Sequence, residues 1–203
     1  MSRPPALFWF RRDLRLSDNP ALLAAVRDGD GVVAPVFVAD PALLASVGPA
    51  RAAYLRATLT ALDESLGGRL IVRVGEPDMV LADVAREVGA SSLFATADVT
   101  PAARRRDARV LTEDGVATSF LDSPYVVVPG TVTTKSGTPA RVFTPFRRAW
   151  DQHVRPEPLP PPDDVEWRGA LSVRLDELSP LSGIKRPAYF GDLSNDVPSF
   201  RCV

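Results

Sequence analysis

Short apolar runs alternate with longer segments of helical period along most of this chain, and that alternation restricts the fold more than any other feature. The runs occupy 6–10, 32–39, 70–74, 92–96 and 116–121. They are almost continuously apolar instead of alternating apolar with polar, as expected of strands covered on both faces, so they predict a parallel sheet inside an α/β domain.

The intervening segments carry helix punctuation. Asp18 or Asn19 can cap a helix with Pro20 in its first turn, and Gly29 and Gly31 stop it. A second helix over 49–66 places Leu55, Leu59, Leu62 and Leu66 on one face, with Gly67-Gly68 as terminator. A third begins near Pro77 and presents Val80, Leu81, Val84 and Val88 to the sheet before Gly89. A fourth runs from Thr100-Pro101 to about residue 114, ahead of Gly115. Each crossover is long enough to be right-handed. The predicted architecture is a five-stranded parallel sheet with helices on both faces, Rossmann-like, over 1–130. A connecting segment over 131–155 follows, with one helix capped by Thr144 and opened by Pro145. Five prolines crowd 156–162 and predict an extended, poorly packed spacer and a domain boundary, after which 163–203 is an irregular tail.

Composition removes several classes of function. One cysteine, Cys202, and one histidine, His153, cannot build a zinc site, a disulfide framework or a multi-histidine centre, so no metal is expected. No apolar run is long enough to span a bilayer, and the start reaches Arg11 and Arg12 after five apolar residues, without a signal-peptide core; a cytoplasmic protein with no membrane partner is expected. The formal charge is −1, which argues against a general nucleic-acid coat, although the cations are 22 Arg and only two Lys, Lys135 and Lys185.

In an open α/β sheet, ligands lie beyond the carboxyl ends of the strands, where the strand order reverses. Arg11 and Arg12 follow the first strand, Asp40 the second, Gly75-Glu76 the third and Asp98 the fourth, and Arg51 can reach over the same edge from the second helix. Guanidinium donors and carboxylate acceptors there suit a planar, polar-rimmed heterocycle. The plainer alternative is a surface ion-pair cluster of little energetic weight. Arg104, Arg105 and Arg106 with Asp107 read as a solvated helix face, Asp18 as a cap, and His153 as a helix-end residue. Phe8, Trp9, Phe10, Phe143, Phe146 and Trp150 read as packing. No G-x-G-x-x-G, P-loop or G-x-S-x-G motif is present, so no catalytic residue is assigned. These residues by themselves specify a ligand-binding or interaction module.

WFRRDLRLSDNPAL at 9–22 closely resembles the opening of the DNA photolyase and cryptochrome family. ADP at 39–41, PARAAYLRATLTALDESL at 49–66, RRRDARV at 104–110, VVVPGTVTTKSGTPARVF at 126–143 and TPFRRAW at 144–150 follow in the family's order. The resemblance implies an N-terminal α/β domain that holds or borders an antenna chromophore, a deazaflavin or a folate, in a pocket formed here by Phe10, Arg11, Asp40, Arg51 and Asp98. In the family a following helical domain binds FAD and the DNA lesion and carries out light-dependent repair of cyclobutane pyrimidine dimers. Two departures stand out. Thr100 and Ala102 occupy positions where relatives often carry a glutamate and an aromatic residue, and the segment after about Leu178 does not resemble the start of the FAD domain. The chain is therefore expected neither to repair DNA nor to contact it by itself, with the helical FAD domain as its natural packing partner. Two other readings use the same fold: an adenine-nucleotide module, disfavoured by the lack of a Gly-rich turn, and an interaction module self-associating through a patch at Phe143, Phe146 and Trp150.

Overall fold

The computed structural model describes residues 4–45, 47–111, 115–121, 124–133, 137–139 and 142–178. The expected strands are present as β1 (Ala6–Phe10), β2 (Val32–Ala39), β3 (Ile71–Val74), β4 (Ser92–Thr96) and β5 (Ala117–Leu121), in the order β3-β2-β1-β4-β5 and all parallel. The order reverses between β1 and β4, which marks the crevice at their carboxyl ends.

Alternate residues of each strand feed opposite faces of the sheet, as the pleat requires. Phe8, Phe10, Val33 and Phe37 meet Leu22 of α1 (Pro20–Asp28) and Leu59 and Leu62 of α3 (Pro49–Ser65) on one face. Leu7, Trp9, Val36, Val38 and Leu93 meet Leu81 and Val84 of α4 (Pro77–Val88) and Val110 of α5 (Pro101–Val110) on the other. A four-residue helix that the sequence does not announce, α2 (Pro41–Leu44), follows β2, and Asp40 caps it by accepting from the Ala42 N–H at 2.9 Å.

Asn19, not Asp18, caps α1: its side chain accepts from the Leu22 N–H at 3.1 Å. Asp18 sits at φ 50° and donates its N–H to the Leu159 carbonyl at 2.7 Å. That bond is the first sign that the proline-rich segment is no loose spacer. Beyond it, β6 (Glu166–Trp167) pairs parallel with Val32 and Val33 of β2, Val173 donates to the Val72 carbonyl at 2.9 Å, and Leu178 is buried in the core beside α3. Residues 156–162 thus run as an extended, exposed strap that carries the chain back to its own sheet.

The strap also explains a proline inside β2. The carbonyls of Gly31, Val33 and Ala39 all accept bonds on the edge shared by β6 and β3, so Pro35, of the same parity, faces that edge too. β6 ends opposite Val33 and β3 begins opposite Val36, which leaves Pro35 in the interval between them, where its missing N–H breaks no ladder bond.

The helix expected from Thr144 begins earlier, as α6 (Phe143–Trp150), with Val142 at its cap position and no side-chain cap. Its aromatic residues correct the packing assignment: α6 has no buried residue, and Phe143 is 72% exposed. His153 lies just past the helix end, donating its N–H to the Trp150 carbonyl at 3.0 Å. Cys202, Lys135, Lys185 and the tail over 179–203 lie outside the described residues, as does the far end of the fourth predicted helix. No helix among the described residues is long and apolar enough to cross a membrane, and no group of metal-ligating side chains occurs among them.

Candidate functional site

A cavity of about 450 Å³ opens at the reversal point of the strand order. Its floor and one wall are apolar: Phe10 from the end of β1, Phe37 and Ala39 from β2, Leu43 and Leu44 from α2 and Leu55 from α3. The opposite wall carries charge, from Arg11 and Arg12 after β1, Asp98 after β4, and Arg106 and Arg109 on α5.

The structure brings together four of the five residues expected from the sequence. Phe10, Arg11, Asp40 and Asp98 all line the cavity. Arg51 does not; it lies exposed in the first turn of α3 and is absent from the lining. From α3 it is Leu55, one turn further on, that lines the cavity, and α2 adds Leu43 and Leu44.

Asp98 is held as an anion. Burial opposes its ionisation, but the Thr100 backbone N–H at 3.0 Å and the guanidinium of Arg12 at 2.8 Å outweigh that and keep its carboxyl below the ordinary value of 3.8. A carboxyl depressed on folding stabilises the protein above its unfolded-state pKa, and that contribution disappears as pH falls through the folded-state value. Asp98→Asn is therefore expected to lower stability at neutral pH and to weaken the acid-side dependence below about pH 4, as read from urea midpoints across that range.

Arg11 is the most constrained cation of the site. Its side chain is only 7% exposed; it donates to Asp107 Oδ1 at 2.6 Å and to the Thr96 carbonyl. Burial lowers its pKa, and the bond and charge of Asp107 counter that, so it stays protonated. Arg106 donates to the same oxygen, through Nε at 3.1 Å and Nη2 at 2.9 Å. Both guanidinium groups stack on Trp9, their central carbons 4.7 and 4.9 Å from the ring centre, and Arg11 also lies 5.1 Å from the Phe120 ring.

The reading of Arg104, Arg105, Arg106 and Asp107 as a solvated face holds for the first two only. Arg104 and Arg105 are exposed, while Arg106 lines the cavity and Asp107 is buried. The sequence held a signal for this. Ala103, Asp107 and Val110 form the buried stripe of α5 at helical spacing, and a carboxylate in such a stripe requires a buried cation. Thr100 caps α5 by accepting from the Ala103 N–H at 3.3 Å, and Ala102 lines the cavity with a small side chain.

The family model for DNA photolyase matches residues 6–163. Among curated relatives, an uncharacterized 31.6 kDa protein of Synechococcus is 41% identical over 172 residues, covering 81% of this chain and 60% of its own. The deoxyribodipyrimidine photo-lyase of Agrobacterium fabrum is 38% identical over 168 residues, 79% of this chain and 35% of the relative. Among solved structures, a bacterial class III photolyase from Agrobacterium tumefaciens superposes with a TM-score of 0.76 at 34% identity, over 87% of this chain and 38% of that one. An archaeal photolyase from Sulfolobus tokodaii, solved with two FAD molecules that implicate a novel light-harvesting cofactor, gives 0.74 at 27% identity, over 92% and 44%. The chain thus spans 35% to 60% of the length of these relatives.

Proposed function

Because the chain belongs to the DNA photolyase family, we propose that it is the pigment-holding α/β portion of a light-dependent enzyme for repair of cyclobutane pyrimidine dimers, with a deazaflavin or a folate as its antenna. The observation that supports this reading is the cavity itself: about 450 Å³ at the reversal point of the sheet, with apolar side chains from β1, β2, α2 and α3 and charged side chains from the β1 and β4 ends and α5. That volume lies within the usual range of small-molecule pockets and suits a flat fused-ring heterocycle.

The chain's own residues fit such a group in distinct ways. Phe10, Phe37, Leu44 and Leu55 strip water from the ring faces. Asp40 spends one carboxylate oxygen on the Ala42 N–H and keeps acceptor capacity for a ring or amide N–H. Arg12, whose side chain is 55% exposed, stands at the rim, braced by Asp98. When bound, the pigment supplies absorption of near-ultraviolet or blue light and passes the excitation on. The residues described here orient it and exclude water.

The test is equilibrium titration of the purified chain with a deazaflavin, a folate and ATP, each followed by ligand fluorescence and by thermal melting. One of the two pigments is expected to saturate and to stabilise the fold by about 2.7 kcal/mol at a hundredfold excess over Kd, and ATP to do neither. Saturation by ATP alone, or by nothing, contradicts the proposal. Asp40→Ala is expected to cost about 1 kcal/mol through loss of the α2 cap and to weaken pigment retention, both measurable in the same titration.

A further inference from the structure

The indole of Trp9 forms part of the cavity wall while being almost wholly buried, and two guanidinium groups are stacked on it. That arrangement is costly to assemble. Arg11 and Arg106 repel each other and share one carboxylate oxygen of Asp107, so the cluster keeps one net positive charge beside the ring. We propose that Arg11 and Arg106 guard Trp9 electrostatically: they hold its indole against oxidation, so that a photoexcited pigment in the cavity keeps its excitation instead of drawing an electron from the wall.

The inference rests on the pigment-holding function proposed above and adds a role for residues that touch Trp9. Indole is among the side chains most easily oxidised by one electron, and an excited nitrogen heterocycle is a far stronger oxidant than the same molecule in its ground state. Contact between the two favours a discharge reaction. One electron leaves the indole π system and fills the vacancy in the lower half-occupied orbital of the excited pigment, giving an indole radical cation and a pigment radical anion. The electron then returns, both partners regain their ground states, no bond or proton moves, and the photon's energy is lost as heat.

Fixed positive charge opposes the first step. The attraction between a guanidinium and the ring's π electrons turns into repulsion once the ring becomes a cation, and in a buried site with little water to screen it that repulsion is strong at 4.7 to 4.9 Å. The effect is the counterpart of preorganised stabilisation: charges placed in advance disfavour one electronic state as surely as they favour another. Phe120, the other ring beside Arg11, is not readily oxidised and needs no such protection. Arg11 and Arg106 are thus positioning residues that act through Trp9.

The deciding experiment uses the unloaded protein, so its outcome does not depend on whether a pigment binds. Wild type, Arg106→Gln and Arg106→Lys are exposed to a light-generated one-electron oxidant, a ruthenium polypyridyl complex. Oxidised Trp9 is then scored against Trp167 by peptide mass mapping. Arg106→Gln is expected to raise Trp9 oxidation several-fold, and Arg106→Lys, which keeps the charge, to stay near wild type. Equal yields in wild type and Arg106→Gln overturn the proposal, and so does an equal rise in both variants, since that reports access and not charge. If Arg106→Gln does not fold, Arg106→Met, which keeps the apolar stem without the charge, carries the same prediction. In pigment-loaded protein the fluorescence lifetime is expected to shorten several-fold in Arg106→Gln and to recover in Arg106→Gln/Trp9→Phe. A lifetime that stays short in the double variant contradicts Trp9 as the electron donor.

Discussion

Asp107→Asn is expected to destabilise the protein by about 3 kcal/mol, although it changes no shape and lies outside the hydrophobic core. Asp107 Oδ1 accepts from both Arg11 and Arg106, and the Arg11 side chain is nearly inaccessible to water. Removing the negative charge leaves a buried guanidinium with only neutral partners: the amide oxygen that replaces the carboxylate, the Thr96 carbonyl and the faces of Trp9 and Phe120. Breaking a buried pair from one side costs about 3–5 kcal/mol, because the surviving charge stays desolvated. The lower end applies here, since those remaining partners offset part of the loss. Replacing Arg11 by Met in the same chain is expected to return part of the stability, because the more deeply buried guanidinium is then gone and only the less buried Arg106 lacks its carboxylate. Urea unfolding of the two single variants and the double variant checks both statements. A loss below about 1 kcal/mol for Asp107→Asn means that the pair is effectively solvated.

Phe8→Ala has a comparable expected effect from a different cause, about 3–5 kcal/mol. Phe8 is fully buried at the centre of β1 and packs edge to face on Phe10, with ring centres 4.7 Å apart. Strands on both sides fix its backbone: it pairs with Pro35 on β2 and Phe94 on β4, so the vacated volume cannot collapse easily. Phe10 forms part of the cavity, so the same substitution is expected to loosen pigment binding as well as to lower the urea midpoint. A loss under about 1.5 kcal/mol indicates that α1 and α3 can close the gap, a repacking that the sheet's two-sided covering opposes.

The sheet was legible in the sequence because the physics that makes it is local. A strand covered on both faces must be apolar throughout, and β1, β2 and β4 occur where the apolar runs place them. The carboxyl-end crevice was legible for the same reason, since strand ends locate Arg11, Asp40 and Asp98 without any knowledge of contacts. Features that depend on distant partners were harder to read. Asp107 looked solvated beside three arginines until the helix phase put it opposite Arg11, 96 residues away in the chain. The strap over 156–162 has the composition of a spacer, and nothing local reveals that Leu159 bonds to Asp18 or that two residues of β6 extend the edge of β2. At α6, Thr144 and Pro145 resemble a cap and first residue. Because the first turn's N–H groups have no helical partners, proline is tolerated at its third position, and the helix begins two residues sooner.

The α5 stripe and the α2 turn matter more for function than any missed boundary. α2 supplies Leu43 and Leu44 to the cavity, and α5 brings Arg106 to Trp9, where Arg11 also stacks. Both place the ligand surface on short rigid elements at the mouth of the sheet, where side chains reach the cavity without leaving the core unfilled.

A pigment lodged against α5 is tested most directly by Ala102→Arg. Ala102 is exposed and lines the cavity, so a long side chain there fills the mouth from outside while the surface of the helix tolerates it with a change of less than about 0.5 kcal/mol. Fluorescence anisotropy of a deazaflavin or folate titrated into wild type and variant is the measurement. Saturable binding by wild type, abolished in Ala102→Arg at an unchanged melting temperature, is the predicted result. Equal binding by the two proteins contradicts it, because the pigment then sits somewhere other than the cavity at the carboxyl ends of β1, β2 and β4.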